Sequence, residues 1–314
     1  MHPASRSLLA RWIYAAKPAS WPKLLVPALL GQAIGVAAAS RLDAHALLLG
    51  LAFTIFDLLF VVFLNDWGDR RVDRIKRQMF PEGSAKTIPD GILPASALLG
   101  VGLVAGLAAL LVAIVAGASL VRPGLGWAAL GMLGLFVAYT LPPIRLNYRG
   151  GGELLEAFGV GVALPWFHVY LQGGVSWTAG LWLLPGFGLL AFASAVASGL
   201  ADEQSDRRGG KRTYASEYGN RAARALVERL VLGGCLVWAI GMRIADVLPA
   251  PLGAIAVIVV LVNWRRLRKV SPAAKTNAFE MHARYKHYLH NAIWRSATIL
   301  ALALIAVTLV GRGG

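Results

Sequence analysis

Long stretches without charged residues alternate with short charged segments along the whole chain. A helix needs about 20 apolar residues to cross the hydrocarbon layer of a bilayer, and nine stretches approach or reach that length. They are residues 22–39, 45–65, 94–118, 124–142, 153–171, 177–199, 226–243, 248–263 and 292–310. Residues 157–201 contain no Asp, Glu, Lys or Arg, so Gln172-Gly173-Gly174 is expected to divide this run into two helices. The pattern predicts an all-α polytopic membrane protein with about nine transmembrane helices in one bundle.

Composition supports this fold class and excludes others. The chain has 314 residues, of which 57% are hydrophobic and 15% charged, and its mean hydropathy is +0.61. Soluble domains carry about 25% charged residues, so a soluble globule, a disordered chain and a fibrous repeat are excluded. The single cysteine, Cys235, excludes a disulfide framework and a cysteine-based metal site. No linker separates a second soluble part, so residues 1–314 are expected to form one membrane-embedded domain.

The formal net charge of +15 is explained by topology and by contact with anionic lipid, without a nucleic-acid partner. With the N-terminus in the cytoplasm, 27 Lys and Arg residues fall on the inside and four on the outside. The four are Arg41, Arg122, Arg243 and Arg312. This asymmetry predicts a multi-pass protein of the inner (cytoplasmic) membrane. Its N-terminus and its long charged loops, residues 66–93, 200–225 and 264–291, then form a cap on the cytoplasmic side.

Two clusters of acidic residues close the second and the sixth predicted spans. The first contains Asn65, Asp66, Asp69 and Asp73, and its carboxylates lie within about a 60° arc of a helix. The second contains Asp202 and Asp206, which share one helix face. Each cluster alone is also typical of a solvated helix end or an interfacial loop.

Together, the clusters indicate a more specific chemistry. Two stripes of carboxylates on the same side of the membrane, each followed by basic residues, can hold two Mg²⁺ ions that bridge a diphosphate. Lys and Arg would contact the free oxygens, and the apolar bundle behind them would accommodate a hydrocarbon tail. The pattern therefore indicates an isoprenyl diphosphate as the ligand.

The motifs resemble those of the UbiA superfamily of membrane prenyltransferases. Asn65-Asp66-x-x-Asp69-x-x-x-Asp73 is similar to its first signature, and Asp202-x-x-x-Asp206 followed by Gly210-Lys211-Arg212-Thr213 to its second. The run from Tyr139 to Arg145 resembles the motif that ends the fourth helix, and the run from Lys17 to Pro22 resembles the start of helix one. Gly152-Glu153-Leu154-Leu155 is similar to the menaquinone-branch enzymes, which prenylate dihydroxynaphthoate.

This resemblance implies Mg²⁺-dependent transfer of an isoprenyl chain from a prenyl diphosphate to an aromatic acceptor, with release of diphosphate. The residues implied to hold Mg²⁺ are Asn65, Asp66, Asp69, Asp73, Asp202 and Asp206. The residues implied to contact the diphosphate are Asn65, Lys86, Arg145, Lys211 and Arg212. Tyr139 is the best candidate for an aromatic face that stabilises the allylic cation, and Trp67 is a weaker one.

Several alternatives remain open. The acceptor could be hydroxybenzoate, homogentisate or a quinoline, and from another class of protein the chain could be a cation-coupled transporter. A transporter should carry its charged residues near the bilayer midplane, whereas here they lie at the span ends. Asp57 is expected to have a structural partner, because it points about 180° away from Asp66, and His168 is expected to be a polar group inside the bundle. The His and Tyr residues of 282–290 are predicted to form an interfacial amphipathic helix.

Overall fold

The computed structural model describes residues 5–311, and every regular element in that part of the chain is helical. Residues 1–4 and 312–314, including Arg312 of the topology count, lie outside the described residues. The helices are α1 (Leu8–Ala15), α2 (Pro22–Ala39), α3 (Ala44–Met79), α4 (Ala95–Ser119), α5 (Leu125–Thr140), α6 (Leu146–Arg149), α7 (Gly152–Phe158), α8 (Leu164–Gly173), α9 (Leu184–Ser198), α10 (Glu203–Gly209), α11 (Tyr214–Tyr218), α12 (Asn220–Ala245), α13 (Ala250–Val270), α14 (Phe279–His290) and α15 (Ser296–Val310). Two π-helical segments, Gly159–Ala163 and Asn291–Arg295, make α7–α8 and α14–α15 continuous.

Within residues 5–311, eight helical stretches are long and apolar enough to span a membrane. They are Pro22–Ala39, Ala44–Met79, Ala95–Ser119, Gly152–Gly173, Ala179–Ala201, Asn220–Ala245, Ala250–Ala273 and Phe279–Val310. The helix α5 is also apolar but has only 16 residues. The eight spans and this shorter helix agree with the prediction of about nine helices, so the all-α, multi-pass membrane fold is confirmed.

The helix α3 is longer than the sequence pattern predicted. The second span was expected to end at residue 65 and to be followed by a loop, but α3 has 36 residues in total and ends at Met79. At 1.5 Å per residue it is about 54 Å long, well beyond the roughly 30 Å of a hydrocarbon core. The predicted span ended where charged residues begin. Charged residues do not break a helix, and residues 66–79 contain no proline that would. The first acidic cluster therefore lies on a rigid helix and not in a loop.

Residues 282–290 form an amphipathic helix, as predicted, with His282, Tyr285 and Leu289 on its buried face and Arg284 and His287 on its exposed face. These residues lie in α14, which continues through a π-helical segment into α15. His282 and Tyr285 are fully buried in the bundle, and the Tyr285 hydroxyl donates to the carbonyl oxygen of Arg224 at 3.3 Å. A short run rich in His and Tyr has the composition of an interfacial helix, but its buried face is packed by α12 and α13.

Small residues bring the helices around the site close together. A Cβ atom on Gly31 of α2 would lie 2.2 Å from the carbonyl oxygen of Pro165 at α8, so only glycine permits this approach. In the same way, a Cβ atom on Gly186 of α9 would lie 2.5 Å from the backbone nitrogen of Trp238 on α12. These contacts fix α2 and α9, which form two walls of the cavity described next.

Candidate active site

A cavity of about 350 Å³ lies among α2, α3, α5, α7 and α9. Its apolar walls include Leu58, Val61, Met132, Phe136, Val160 and Leu164. At one end it is lined by polar side chains from both acidic clusters: Asn65, Asp69, Asp202, Asp206 and Lys211. A charged end that continues into an apolar interior suits an amphiphilic ligand with an anionic head and a hydrocarbon tail.

Asp69 is the carboxylate of the first cluster that faces the cavity. Its Oδ2 atom lies 2.7 Å from the Nζ atom of Lys211, and its Oδ1 atom accepts a hydrogen bond from the Tyr148 hydroxyl at 3.2 Å. The Asn65 amide donates to Oδ2 at 3.5 Å. Burial opposes the charge of Lys211, but the neighbouring Asp69 and Asp206 hold the pKa of its ammonium group well above the usual value.

Asp66 and Asp73 do not line the cavity. Asp66 is only 4% exposed, forms an ion pair with Lys17 and accepts a hydrogen bond from the Thr87 hydroxyl at 2.7 Å. Asp73 pairs with Lys86 at 2.6 Å. These two carboxylates connect α3 to the chain before α2 and to the segment that follows Met79.

The second cluster contributes two carboxylates with different surroundings. Asp202 pairs with Lys76 of α3. Burial would raise the pKa of Asp202, but Lys76, Lys86 and other nearby lysines hold it below its usual value. Asp206 accepts a hydrogen bond from the Thr213 hydroxyl at 3.4 Å. Burial raises the pKa of Asp206 to about 8, with Lys211 opposing the rise and Asp202 adding to it.

Four of the five clustered carboxylates are paired with a lysine. The pairs are Lys17–Asp66, Lys211–Asp69, Lys86–Asp73 and Lys76–Asp202. Among the described residues, no three His, Cys, Asp or Glu side chains converge closely enough to hold a metal ion. The six predicted metal ligands are therefore not assembled as one cluster. Asn65, Asp69, Asp202 and Asp206 nevertheless present oxygen atoms at one end of the cavity, and such donors fit a divalent cation.

Of the four predicted diphosphate-binding cations, only Lys211 lines the cavity. Lys86 is held by Asp73. The guanidinium of Arg145 stacks over the ring of Tyr148 at 3.5 Å and donates to the carbonyl oxygen of Gly68 at 2.7 Å. Arg212 is exposed and pairs with Glu217 at 3.0 Å. Neither Arg145 nor Arg212 lines the cavity, because other protein groups hold both guanidinium groups.

The sequence of residues 24–290 matches the model of the UbiA prenyltransferase family. The chain belongs to this family. The resemblance of its two acidic motifs is thereby confirmed at the level of the family, and so is the prediction that the chain is a membrane-embedded prenyltransferase. No curated protein sequence matches the chain.

Solved structures of UbiA homologues share its fold. A homologue from Archaeoglobus fulgidus, described as bound to DMAPP and Mg²⁺, is 17% identical, with a TM-score of 0.68 over 95% of this chain and 99% of that one. An apo structure of a homologue from Aeropyrum pernix K1 is 14% identical, with a TM-score of 0.60 over 92% and 98% of the two chains. A digeranylgeranylglyceryl phosphate synthase is 16% identical, with a TM-score of 0.58 over 91% and 98%.

Tyr139 lies in the cavity of this UbiA chain, as expected of an aromatic face near the reacting centre. Its ring stacks on Phe136 at 5.9 Å between centroids, and its hydroxyl donates to Glu156 Oε2 at 3.4 Å. Glu156 in turn pairs with Lys23 at 2.5 Å. Trp67, the weaker candidate, is not part of the cavity lining and is covered by the guanidinium of Arg70 at 4.1 Å.

Several residues of the site had no predicted role. Lys76 follows Asp66, Asp69 and Asp73 at the same three- and four-residue spacing, so the stripe itself could have indicated it. Lys17 lies in a motif that was recognised, but no role was assigned to it. Tyr148 carried no signal, because its contact with Asp69 joins positions 79 residues apart.

The predictions for two polar residues inside the membrane-spanning part compare differently with the structure. His168 is a polar group inside the bundle, as predicted: it is 1% exposed, with Gln32 Nε2 2.9 Å from Nδ1 and Thr54 Oγ1 3.0 Å from Nε2. Asp57 was expected to have a structural partner. It instead lines the cavity, and within residues 5–311 it has neither an ion pair nor a hydrogen bond. Asp57 and Asp66 do lie on opposite sides of α3, but Asp66 is the residue that faces away from the cavity.

Proposed function

We propose that the chain transfers an isoprenyl group from a prenyl diphosphate to an aromatic acceptor, in a Mg²⁺-dependent reaction that releases diphosphate. The observation that carries the proposal is the cavity itself, whose charged end contains Asp69, Asp202 and Lys211 and whose remaining walls are mostly apolar. The A. fulgidus relative described as bound to DMAPP and Mg²⁺ supports this choice of donor and metal. Membership of the UbiA family supports the reaction class.

The residues at the charged end would bind the diphosphate complex. Mg²⁺ would be held by Asn65, Asp69, Asp202 and Asp206, and when bound it supplies Lewis-acid neutralisation of the leaving group. The ammonium group of Lys211 would exchange its carboxylate partner for a diphosphate oxygen, which is a charge-assisted hydrogen bond of similar length. Lys211 would thus neutralise a carboxylate before the substrate binds and the diphosphate afterwards.

The apolar part of the cavity would hold the reacting carbon atoms. The bond between C1 and oxygen breaks, and its electron pair leaves with the diphosphate. The face of the Tyr139 ring stabilises the allylic cation, while Phe136 and Val61 exclude the water that would capture it. A carbon atom of the electron-rich acceptor forms the new bond to C1, and that carbon then loses its proton to restore aromaticity.

For the acceptor we propose a quinone precursor such as dihydroxynaphthoate, because the run from Gly152 to Leu155 resembles the menaquinone branch. Hydroxybenzoate, homogentisate and a quinoline are the competing acceptors. We further propose that the charged end faces the cytoplasm and that the protein resides in the inner membrane, since 27 of the 31 Lys and Arg residues then lie inside.

The test is product formation by the purified protein with labelled prenyl diphosphates of several lengths and this panel of acceptors. A prenylated product that requires Mg²⁺ and disappears with a chelator would support the proposal and would identify the acceptor. Absence of product from protein that is folded and binds a prenyl diphosphate would reject the four acceptors of this panel. Failure to bind any prenyl diphosphate would reject the donor as well.

The alternative of a cation-coupled transporter has less support. The acidic clusters follow the apolar parts of α3 and α9, and the chain belongs to a prenyltransferase family. Cation-driven uptake of a solute into proteoliposomes, without a prenylated product, would favour transport.

A further inference from the structure

Asn147 is a buried amide on the wall of the cavity with no role in the proposed reaction. It lies in the short helix α6, is 2% exposed and lines the cavity. Neither its Nδ2 nor its Oδ1 atom has a hydrogen-bond partner among the described residues. Most buried polar groups in proteins are hydrogen-bonded, so an amide that lacks protein partners on both atoms has two hydrogen-bonding positions that a molecule in the cavity could satisfy.

The neighbours of Asn147 connect it to the charged end of the cavity and to the start of α7. The next residue, Tyr148, donates to Asp69. On the other side, a Cβ atom on Gly152 would lie 2.7 Å from the Cα atom of Asn147, so the glycine allows α7 to begin directly against α6. Glu153, which follows, also lines the cavity and accepts a hydrogen bond from the backbone nitrogen of Tyr214 at 2.6 Å.

The hydrogen-bonding groups of the amide indicate which part of the two substrates could pair with it. A carboxamide presents an oxygen that accepts and a nitrogen that donates. An ionised diphosphate offers only acceptors and would leave Oδ1 unpaired, and a hydrocarbon tail would leave both atoms unpaired. A ligand that satisfies the whole amide must carry a donor beside an acceptor.

We propose that Asn147 recognises the aromatic acceptor through a ring hydroxyl that stands next to a carbonyl or carboxylate oxygen. The hydroxyl donates to Oδ1, and Nδ2 donates to the adjacent oxygen. This inference rests on the proposed function and narrows its acceptor to one chemical class. Asn147 is thus a specificity-determining residue, since an analogue that lacks the second oxygen leaves Nδ2 unpaired.

The first test replaces the amide with an apolar side chain of similar size. The Asn147→Leu variant is expected to raise the acceptor KM about tenfold or more, with the KM for the prenyl diphosphate unchanged. Without substrates, its thermal unfolding midpoint should equal or exceed that of the wild type, because burying an unpaired amide is unfavourable. A purely structural amide would give the opposite shift in unfolding temperature.

The second test removes a group from the substrate. Dihydroxynaphthoate and 1,4-dihydroxynaphthalene differ only in the carboxylate beside a hydroxyl. The wild type should prefer the carboxylated acceptor about tenfold or more, and Asn147→Leu should reduce this preference severalfold. Asn147→Asp keeps one acceptor oxygen and loses the donor, so it should retain the uncarboxylated acceptor and bind the carboxylated one poorly.

Asn263 provides a matched control. It is 5% exposed, its amide donates to the carbonyl oxygen of Val259 in α13, and it does not line the cavity. Asn263→Leu should leave the KM values of both substrates unchanged. The inference would be overturned if Asn147→Leu kept the acceptor KM and the preference of the wild type, or if it lowered the unfolding temperature with no effect on acceptor KM. Absence of product from the wild type with every acceptor would instead reject the proposed function.

Discussion

Lys211 and Asp69 form an ion pair at the charged end of the cavity, with 2.7 Å between Nζ and Oδ2, although 142 residues separate them in sequence. Lys211 comes from the segment after α10 and Asp69 from α3, so this contact joins the two acidic motifs. Lys76 and Asp202 form a second pair between the same two regions. The site is therefore built from side chains of opposite charge that neutralise one another across the two halves of the chain.

The adjacent residues Lys211 and Arg212 provide a direct test of the proposed diphosphate site. Lys211→Ala should raise the KM for the prenyl diphosphate about ten- to hundredfold, since it removes a charge-assisted hydrogen bond to an anion. Arg212→Ala should change this KM less than about twofold, because its exposed pair with Glu217 contributes little. Initial rates at varied donor concentration measure both values, and an unchanged KM in Lys211→Ala would remove this residue from the site.

The carboxylates that line the cavity are expected to contribute more to turnover than those that do not. Asp69→Asn and Asp202→Asn should each reduce kcat about 10²–10³-fold, because each removes one carboxylate oxygen and the negative charge that would hold Mg²⁺ where charge develops on the leaving group. Asp73→Asn should have a smaller effect, since Asp73 pairs with Lys86 and does not line the cavity. The assay is turnover at saturating substrates over a range of Mg²⁺ concentrations. Near-wild-type turnover in both Asp69→Asn and Asp202→Asn would contradict the assignment.

The sequence predicted the helices, the pairing of the two motifs and the amphiphilic character of the site. These follow from hydropathy and from the helical spacing of Asp66, Asp69 and Asp73. The spacing could not reveal which side of α3 faces the cavity, because that side is set by α5, α7 and α9, which are distant in sequence. For this reason Asp57 was assigned to the wrong environment, and Asn147, which depends on the close approach of Gly152, was missed.

His168 should matter for stability and little for catalysis. Its two ring nitrogens contact Gln32 and Thr54, and it does not line the cavity. His168→Leu leaves the buried Gln32 Nε2 atom without this partner, whereas the Thr54 hydroxyl keeps its hydrogen bond to the carbonyl oxygen of Gly50. The free energy of unfolding should therefore fall by about 1–3 kcal/mol. His287→Leu is the control, since this exposed histidine hydrogen-bonds to exposed Asn291 and lies beside the Tyr288 ring and should change stability by less than about 0.5 kcal/mol. Thermal unfolding in detergent measures both variants, and equal unfolding temperatures would contradict the structural role.

Asp57 should limit how well long prenyl donors bind. Twelve residues of α3 separate it from Asp69, which places its carboxyl group about 18 Å from the charged end of the cavity, beside the apolar wall that includes Leu58 and Val61. A donor with a tail that reaches this depth must cover a carboxyl group without hydrogen-bonding to it, which is unfavourable. Asp57→Leu should therefore lower the KM of longer donors relative to DMAPP by about tenfold and raise the free energy of unfolding by about 1–3 kcal/mol.

Asp57→Asn keeps a polar group of the same size and should leave the order of donor preference unchanged. KM values for donors of one to four isoprene units, measured beside thermal unfolding, test the two effects separately, and an unaltered order of preference in Asp57→Leu would show that Asp57 does not contact the tail.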